Sequence, residues 1–519
     1  MTSQISDELL SGFSEFVAAR MGLHFTKERL NDLARGLGSA AGEFGFDDEE
    51  ACAKWLMSSS LTREQVEILA SHLTVGETYF FREKKSFESL EWEILPQLID
   101  GRRKGSRGLR IWSAGCATGE EPYSIAILLS KLLPDLNSWN ITVLATDINP
   151  RFLSKASRGV YREWSFRDTP GWVQGKYFKK RGGYFEILPD IKTMVTFAYQ
   201  NLAEDAYPSL VGNTNAMDII LCRNVLMYFT PDMQRKVIQN LHRCLVDGGW
   251  LIVSLGEIYD DLFPQFKAAN YSGVTLYRKE SKECPAVEKP LPVYEQPQVG
   301  PHEPPVPLTF PTGLEGKPEP EIHFPGRTAE PPATETAEKR MTKSRAARYE
   351  EALEFYKQGC YDEAAEKIEP LLSEKGVDSK AMALLAAIYA NQGRLNDALA
   401  WSEKAVAADK LNPDRHYLRA IILQEQGKIE GAMTSLKRSL YLNQDFALAH
   451  FTLGNMLRKQ GKLKEADKYF KNALSLLRGH KGEEIVAASE GITASRLIEI
   501  INSTSGRSNG YERETAASR

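Results

Sequence analysis

Apolar positions over residues 1–73 recur every third or fourth place. Leu9, Leu10, Phe13, Phe16 and Val17 begin the pattern, and it returns over Leu30–Leu37, Glu49–Met57 and Thr62–Leu73. This spacing predicts helices with one buried face. Another such run, Ser86–Ile99, leads to a change of period at Leu109. From there short apolar runs at 109–112, 141–146, 194–199, 217–222 and 250–255 alternate with helical patterns that open at Pro122, Pro150 and Pro231. Strand and helix in alternation predict a mostly parallel sheet. The rhythm breaks between Gly159 and Met194, where Trp164, Phe166, Trp172, Tyr177, Phe178, Tyr184 and Phe185 surround a Gly182-Gly183 turn. That predicts a hairpin-bearing insertion. Its aromatics serve either as its own core or as a peptide-binding edge.

Patterning changes twice more. Residues 281–340 hold 14 of the chain's 25 prolines, a composition that suits a linker and not a packed core. Beyond it a repeat sets in. Gly359, Gly393, Gly427 and Gly461 stand 34 residues apart, as do Ala364, Ala398, Ala432 and Ala466, and Ala352, Ala386, Ala420 and Gly454. Small residues locked in register over four units predict stacked helix pairs of the tetratricopeptide kind. Tyr349, Tyr389, Tyr417 and Asn455 then either line the concave face of the array or pack between repeats. The expected organisation is an α/β protein in several parts: a helical domain over 1–73; a Rossmann-like domain over 74–280, with its β-insertion at about 160–193; a linker over 281–342; four repeats over 343–480; a capping helix within 481–502; and a disordered tail, 503–519.

Composition narrows the function. A net charge of −4 disfavours a nucleic-acid footprint. Six scattered cysteines, with neither a C-x-x-C motif nor paired histidines, argue against a zinc site or a disulfide framework and fit a reducing compartment. No uncharged apolar run approaches the roughly 20 residues of a membrane span. A cytoplasmic protein is expected.

Candidate chemistry centres on Ile111-Trp-Ser-Ala-Gly-Cys-Ala-Thr-Gly-Glu-Glu-Pro-Tyr-Ser124. A glycine turn between a buried strand and a helix makes a ligand crevice at the carboxyl end of the strand. The motif is not G-x-G-x-x-G, and Glu120 and Glu121 at the helix start would repel phosphate. They suit a cationic, phosphate-free ligand such as S-adenosylmethionine, or they merely complement the helix dipole. Asp147, at the end of the second predicted strand, stands where ribose hydroxyls are bound in such folds, and it also suits a helix cap. Arg223 and Asn224 follow a buried strand and should face the crevice, with Tyr228 one turn further on. In Thr74-Val-Gly-Glu-Thr-Tyr-Phe-Phe-Arg82-Glu83, the aromatics either cover an apolar ligand face or form a hinge packed on the core. Arg82 beside them suits a carboxylate.

Four stretches in order, Thr78-Tyr-Phe-Phe-Arg82-Glu83, Trp112–Ser124, Ala145-Thr-Asp-Ile-Asn149 and Cys222-Arg-Asn-Val-Leu-Met-Tyr-Phe229, resemble the chemotaxis-receptor glutamate methyltransferases of the CheR type, in the form with a tetratricopeptide array. The resemblance implies a class I S-adenosylmethionine-dependent methyltransferase, with S-adenosylhomocysteine as product. It would esterify glutamates on the cytoplasmic helices of chemoreceptors, recruited to receptor arrays at the membrane without inserting into it. The repeats would bind a protein partner or fold back within the chain. The resemblance also implies site roles. Thr78 and Arg82 would lie near the reactive end of the cofactor, and Glu120 or Glu121 by its amino group. Asp147 would hold the ribose, Asn201 and Leu202 would flank the adenine, and Arg223 and Asn224 would complete the pocket. Tyr228 would stand near the transferred methyl, and Arg82, Arg223 and Tyr228 would act in catalysis. Gly76 departs from the pattern, since many relatives have an asparagine there that contacts the cofactor. The alternatives are a cofactor-sensing regulatory protein with weak catalysis and a methyltransferase for another substrate.

Overall fold

The computed structural model describes residues 5–280 and 333–505, except 106, 260, 272, 374–377, 483, 490 and 491. The N-terminal apolar pattern forms four helices, Asp7–Met21, Leu30–Glu43, Glu49–Met57 and Arg63–Leu73. Their starts follow the chemistry of capping. The Thr62 hydroxyl accepts the Gln65 N–H while the Gln65 side chain accepts the Thr62 N–H, which satisfies two otherwise orphaned donors. Phe13, Val17, Leu33, Leu37, Leu56 and Leu69 fill the core between these helices.

Ten strands follow in chain order: β1 Gly108–Ala114, β2 Asn140–Asp147, β3 Val160–Arg162, β4 Phe178–Arg181, β5 Tyr184–Ile187, β6 Val195–Tyr199, β7 Met217–Leu221, β8 Leu245–Ile252, β9 Phe266–Tyr271 and β10 Val274–Lys279. Seven form one sheet in the order β6-β2-β1-β7-β8-β10-β9. The first five run parallel, and β10 pairs antiparallel with both β8 and β9. All five residues of β7 are buried, as an inner parallel strand covered on both faces requires. Strands β3, β5 and β4 make a separate small sheet, with Gly182-Gly183 turning β4 into β5. Phe80, Tyr161, Phe166, Phe178 and Phe185 pack beneath it. The insertion's inner aromatics are therefore core, and so is Phe80.

The repeats form helix pairs from Ala333–Gln358 to Leu463–Leu477, and a further helix, Ala494–Ser505, follows them. The first helix takes in residues 333–342, assigned from sequence to the linker, and the last takes in 503–505, assigned to the tail. The rest of both segments lies outside the described residues. The repeating glycines turn each pair with φ between 74° and 77°, where a Cβ is disfavoured. Tyr389 and Tyr417 are 6% and 4% exposed. Tyr389 donates to Glu369 at 2.7 Å and Tyr417 packs on Phe446, so both belong to the packing between helices. Cys52, Cys116, Cys222 and Cys244 are free and buried. Cys360 is disulfide-bonded, whereas the scatter of the six cysteines in sequence argues against a disulfide framework.

The array packs against the sheet domain where the strands begin. Asn140, which opens β2, donates to the Glu425 carbonyl, and Asn215, just before β7, donates to the Glu425 carboxylate at 3.1 Å. Arg243 donates to the Lys357 carbonyl, and Leu210 is buried in the core of the array. At the opposite end of the strands, Arg496 donates to the Tyr199 carbonyl at 2.8 Å and lies over the Tyr199 ring. No helix of the described residues is long and apolar enough to cross a membrane.

Candidate functional site

After β1 the chain turns through Gly115–Gly119 into the helix Glu120–Leu132. The Thr146 carbonyl accepts the N–H groups of Gly115 and Cys116 at 2.8 and 2.9 Å, which ties the turn to the end of β2. Gly115 has φ 83°, and a Cβ there would come within 2.3 Å of Val225 Cγ2. Only glycine lets the turn approach the loop after β7 this closely.

Asp147 ends β2 and is 8% exposed. Its carboxylate accepts the N–H groups of Ala117 at 2.9 Å and Asn149 at 2.8 Å. Burial disfavours the charge and pushes its pKa up to about 6, although backbone N–H groups oppose the shift. Helix capping at Asn149 is done by that residue's own side chain, which leaves Asp147 to the turn and to the cleft beside it.

That cleft opens at the carboxyl ends of β1, β2, β6 and β7. Gly115, Ala117, Asp147, Phe152, Gln200, Asn201, Leu202, Asn224, Val225 and Tyr228 line it. Its other wall comes from the helical domain: Met21, Leu23, His24, Phe25, Arg29 and Leu73, continued by Thr74 and Val75. Sequence reasoning kept the helical domain apart from the site. The wall residues have no motif of their own, because it is tertiary packing that brings the end of the first helix over the sheet. Gly22 caps that helix at φ 75°, and a Cβ there would meet the Phe229 ring at 2.4 Å. The Tyr228 carbonyl accepts the His24 N–H at 2.8 Å. Arg29 lies 5.4 Å from the Tyr228 ring centroid and 5.2 Å from that of Phe25.

Of the residues singled out in sequence, Asp147, Asn201, Leu202, Asn224 and Tyr228 meet at this cleft. The Asn201 side chain is occupied by structure: it donates to the Arg20 carbonyl at 3.0 Å and accepts the Ala203 N–H. Behind the cleft, Glu121 accepts from Ser113 at 2.7 Å and pairs with Arg223 at 3.0 Å. Arg223 also pairs with Glu83 at 3.2 Å and donates to the Arg82 carbonyl. Its buried Nε has no hydrogen-bond partner among the described residues. Glu120 faces away, accepting from Thr118 and Ser165, and burial raises its pKa. Thr78, Arg82, Glu120, Glu121 and Arg223 do not themselves line the cleft. Arg82 donates to the Glu77 carbonyl at 2.6 Å. Gly76 lies against Phe152, whose ring would stand 2.5 Å from a Cβ at 76. The ring takes the space that an asparagine would need.

A mostly parallel sheet with a glycine turn, an acidic residue ending its second strand and a helical domain over the closing ends of its strands is an architecture suited to binding a nucleoside-containing ligand in that crevice. The profile of the CheR methyltransferase SAM-binding domain matches residues 76–271, and tetratricopeptide profiles match 349–413 and 447–480. Chemotaxis protein methyltransferase 2 of Vibrio cholerae is 34% identical over 220 residues, which are 42% of this chain and 75% of that protein. Chemotaxis protein methyltransferase 1 of Pseudomonas aeruginosa is 32% identical, over 41% and 77%. A chemotaxis protein methyltransferase of Borreliella burgdorferi is 28% identical, over 49% and 89%. Among solved structures, a MamA protein is 19% identical with a TM-score of 0.25, over 32% of this chain and 85% of that one. The chain belongs to the CheR family of S-adenosylmethionine-dependent methyltransferases, extended by tetratricopeptide repeats. The cleft fits that cofactor: the Asp147 carboxylate lines it, and the buried Arg223 Nε, two residues past β7, has no hydrogen-bond partner among the described residues.

Proposed function

We propose that the protein methylates glutamate side chains of chemoreceptors, and that the cleft between the helical domain and the sheet brings the two reactants together. Asp147 would hold the ribose of the cofactor and Leu202 would flank its adenine, with the backbone of Asn201 alongside. Arg223 would face its carboxylate while Glu121 and Glu83 hold the guanidinium in place. When bound, S-adenosylmethionine supplies an electrophilic methyl group. A glutamate side chain has a reference pKa of about 4.3 and is already ionised at neutral pH, so no general base is needed. What remains for the chain is alignment and exclusion of water. Tyr228 and Arg29 suit that work, since they form adjacent walls of one cleft and carry a hydroxyl donor and a cation. The observation that carries this reading is the convergence of Asp147, Asn224 and Tyr228 from three separate segments on that cleft.

The direct test is transfer of labelled methyl to receptor-containing membranes. Label released by mild base marks a glutamyl ester, whereas base-stable label would point to another acceptor and no label to a sensing role. Tyr228→Phe should lower kcat by about tenfold or more while leaving affinity for S-adenosylhomocysteine nearly unchanged. Equal losses in both would make Tyr228 a binding residue.

A further inference from the structure

The loop Arg223–Phe229 carries four residues that line the cleft, Asn224, Val225, Tyr228 and Phe229, yet it belongs to no sheet and contains only the short turn Leu226–Tyr228. Asn224 sits at φ 57°, in the left-handed region. Such a loop keeps its shape only if its backbone groups find partners. Its carbonyls are held from two elements: Gln234, on the helix Pro231–Cys244, donates to Leu226 at 2.9 Å and to Phe229 at 3.3 Å, and His24 donates to Tyr228. The N–H groups of Tyr228 and Phe229 donate within the loop, to the Val225 and Leu226 carbonyls at 3.1 and 3.0 Å, while those of Asn224 and Met227 are held by one residue from a third element. Glu257, in the turn after β8, is 1% exposed. Its Oε2 accepts the Asn224 N–H at 2.8 Å, and its Oε1 accepts the Met227 N–H at 3.2 Å. Oε2 also accepts the N–H and hydroxyl of Ser254, at 3.1 and 2.6 Å.

A carboxyl group this deeply buried is costly unless its acceptor sites are filled. The Ser254 bonds alone would cap its own turn. The other two cross to the neighbouring loop and bracket the stretch between Asn224 and Tyr228. Glu257 does not line the cleft, and the hydrogen bonds of its carboxylate go to Ser254 and to the loop.

We propose that Glu257 is a positioning residue for methyl transfer: by gripping the Asn224 and Met227 N–H groups it fixes the loop on which Asn224 and Tyr228 face the cleft. The proposal rests on the reading of the cleft as the site of methyl transfer given above. Glu257→Gln keeps the volume and one acceptor oxygen but sets an NH₂ group against a backbone donor.

Three readouts on the full-length protein test it. In Glu257→Gln, amide exchange at Asn224 and Met227 should quicken by about tenfold, with the remaining amides little changed. Turnover should fall by about tenfold, with smaller changes in the acceptor KM and in affinity for S-adenosylhomocysteine. Tyr228→Phe should cost less in the Glu257→Gln background than in the wild type, because a misplaced tyrosine has less to lose. Unchanged exchange, unchanged turnover, or equal cost of Tyr228→Phe in both backgrounds overturns the proposal. If Glu257→Gln does not fold, Glu257→Asp is read in the same way, since it keeps the carboxylate near Ser254 and withdraws it from the loop. A wild-type protein that transfers no methyl to receptor glutamates refutes the functional reading instead, and the exchange measurement still decides whether Glu257 holds the loop.

Discussion

Asp147 shows how one residue answers to two demands. Burial raises its pKa to about 6, yet its carboxylate is bonded by backbone N–H groups and turned to the cleft. If ribose hydroxyls donate to the ionised form, the bound state holds the pKa lower than the free state does. Affinity then weakens as pH falls through about 6, where the free protein takes up a proton and the complex does not. Calorimetry with S-adenosylhomocysteine between pH 7.5 and 5.5 should show this trend. Asp147→Asn should flatten it and weaken binding by about 1–3 kcal/mol at neutral pH. A persistent slope in the variant would place the titrating group elsewhere. The position of Asp147 was legible because strand ends in parallel sheets are functional by topology. The engagement of Glu120 and Glu121 was not: adjacent in sequence, they point to different partners, Ser165 and Arg223, and only tertiary structure separates them.

At the scale of elements, the sequence marks where strands, helices and repeats lie because hydrophobic period follows backbone geometry. It does not mark which side of an element meets a ligand. Thr78–Arg82 illustrates the difference. Its run of aromatics suits a ligand face, but Phe80 is fully buried among Tyr161, Phe166 and Phe178, while Phe81 packs on Phe87. The Phe80 N–H also donates to the Ser165 carbonyl, at the edge of the small sheet. This stretch therefore ties the insertion to the main sheet. Phe80→Ala should cost about 3–5 kcal/mol of stability, the usual range for a buried phenylalanine. Thermal or denaturant unfolding would register it. A loss below 1 kcal/mol would mean that the insertion is anchored by its other aromatics alone.

Across the whole molecule, the strand directions separate two surfaces. Asn140 opens β2 and Asp147 closes it; Asn215 precedes β7 and Asn224 follows it. The array meets the opening ends, through Asn140, Asn215 and Glu425, and the cleft lies at the closing ends. Removing the array by truncation near residue 280 would expose Leu210, which is buried in the array's core, and would confound release with loss of stability. Val246→Arg is a cleaner probe. Val246 Cγ1 lies 3.2 Å from where a Cβ on Gly393 would stand, so the larger charged side chain should force the array off that surface while the whole array stays in the chain; Leu210 then loses its cover, and an unfolding curve reports what that costs. Small-angle scattering should then report a larger radius of gyration, while affinity for S-adenosylhomocysteine stays within about twofold, because the cleft is at the other ends of the strands. Arg496 is the exception to this separation: it donates to the carbonyl of Tyr199 and, at 3.3 Å, to the side chain of Gln200, which lines the cleft. Arg496→Ala tests that contact alone: it should change cofactor affinity by no more than release of the array does, and leave the radius of gyration unchanged. An unchanged radius of gyration for Val246→Arg would show that the strand-opening contact does not hold the array. Loss of S-adenosylhomocysteine binding in a folded Val246→Arg protein would show that the array is part of the cofactor site, and the division between the two ends of the sheet would fail.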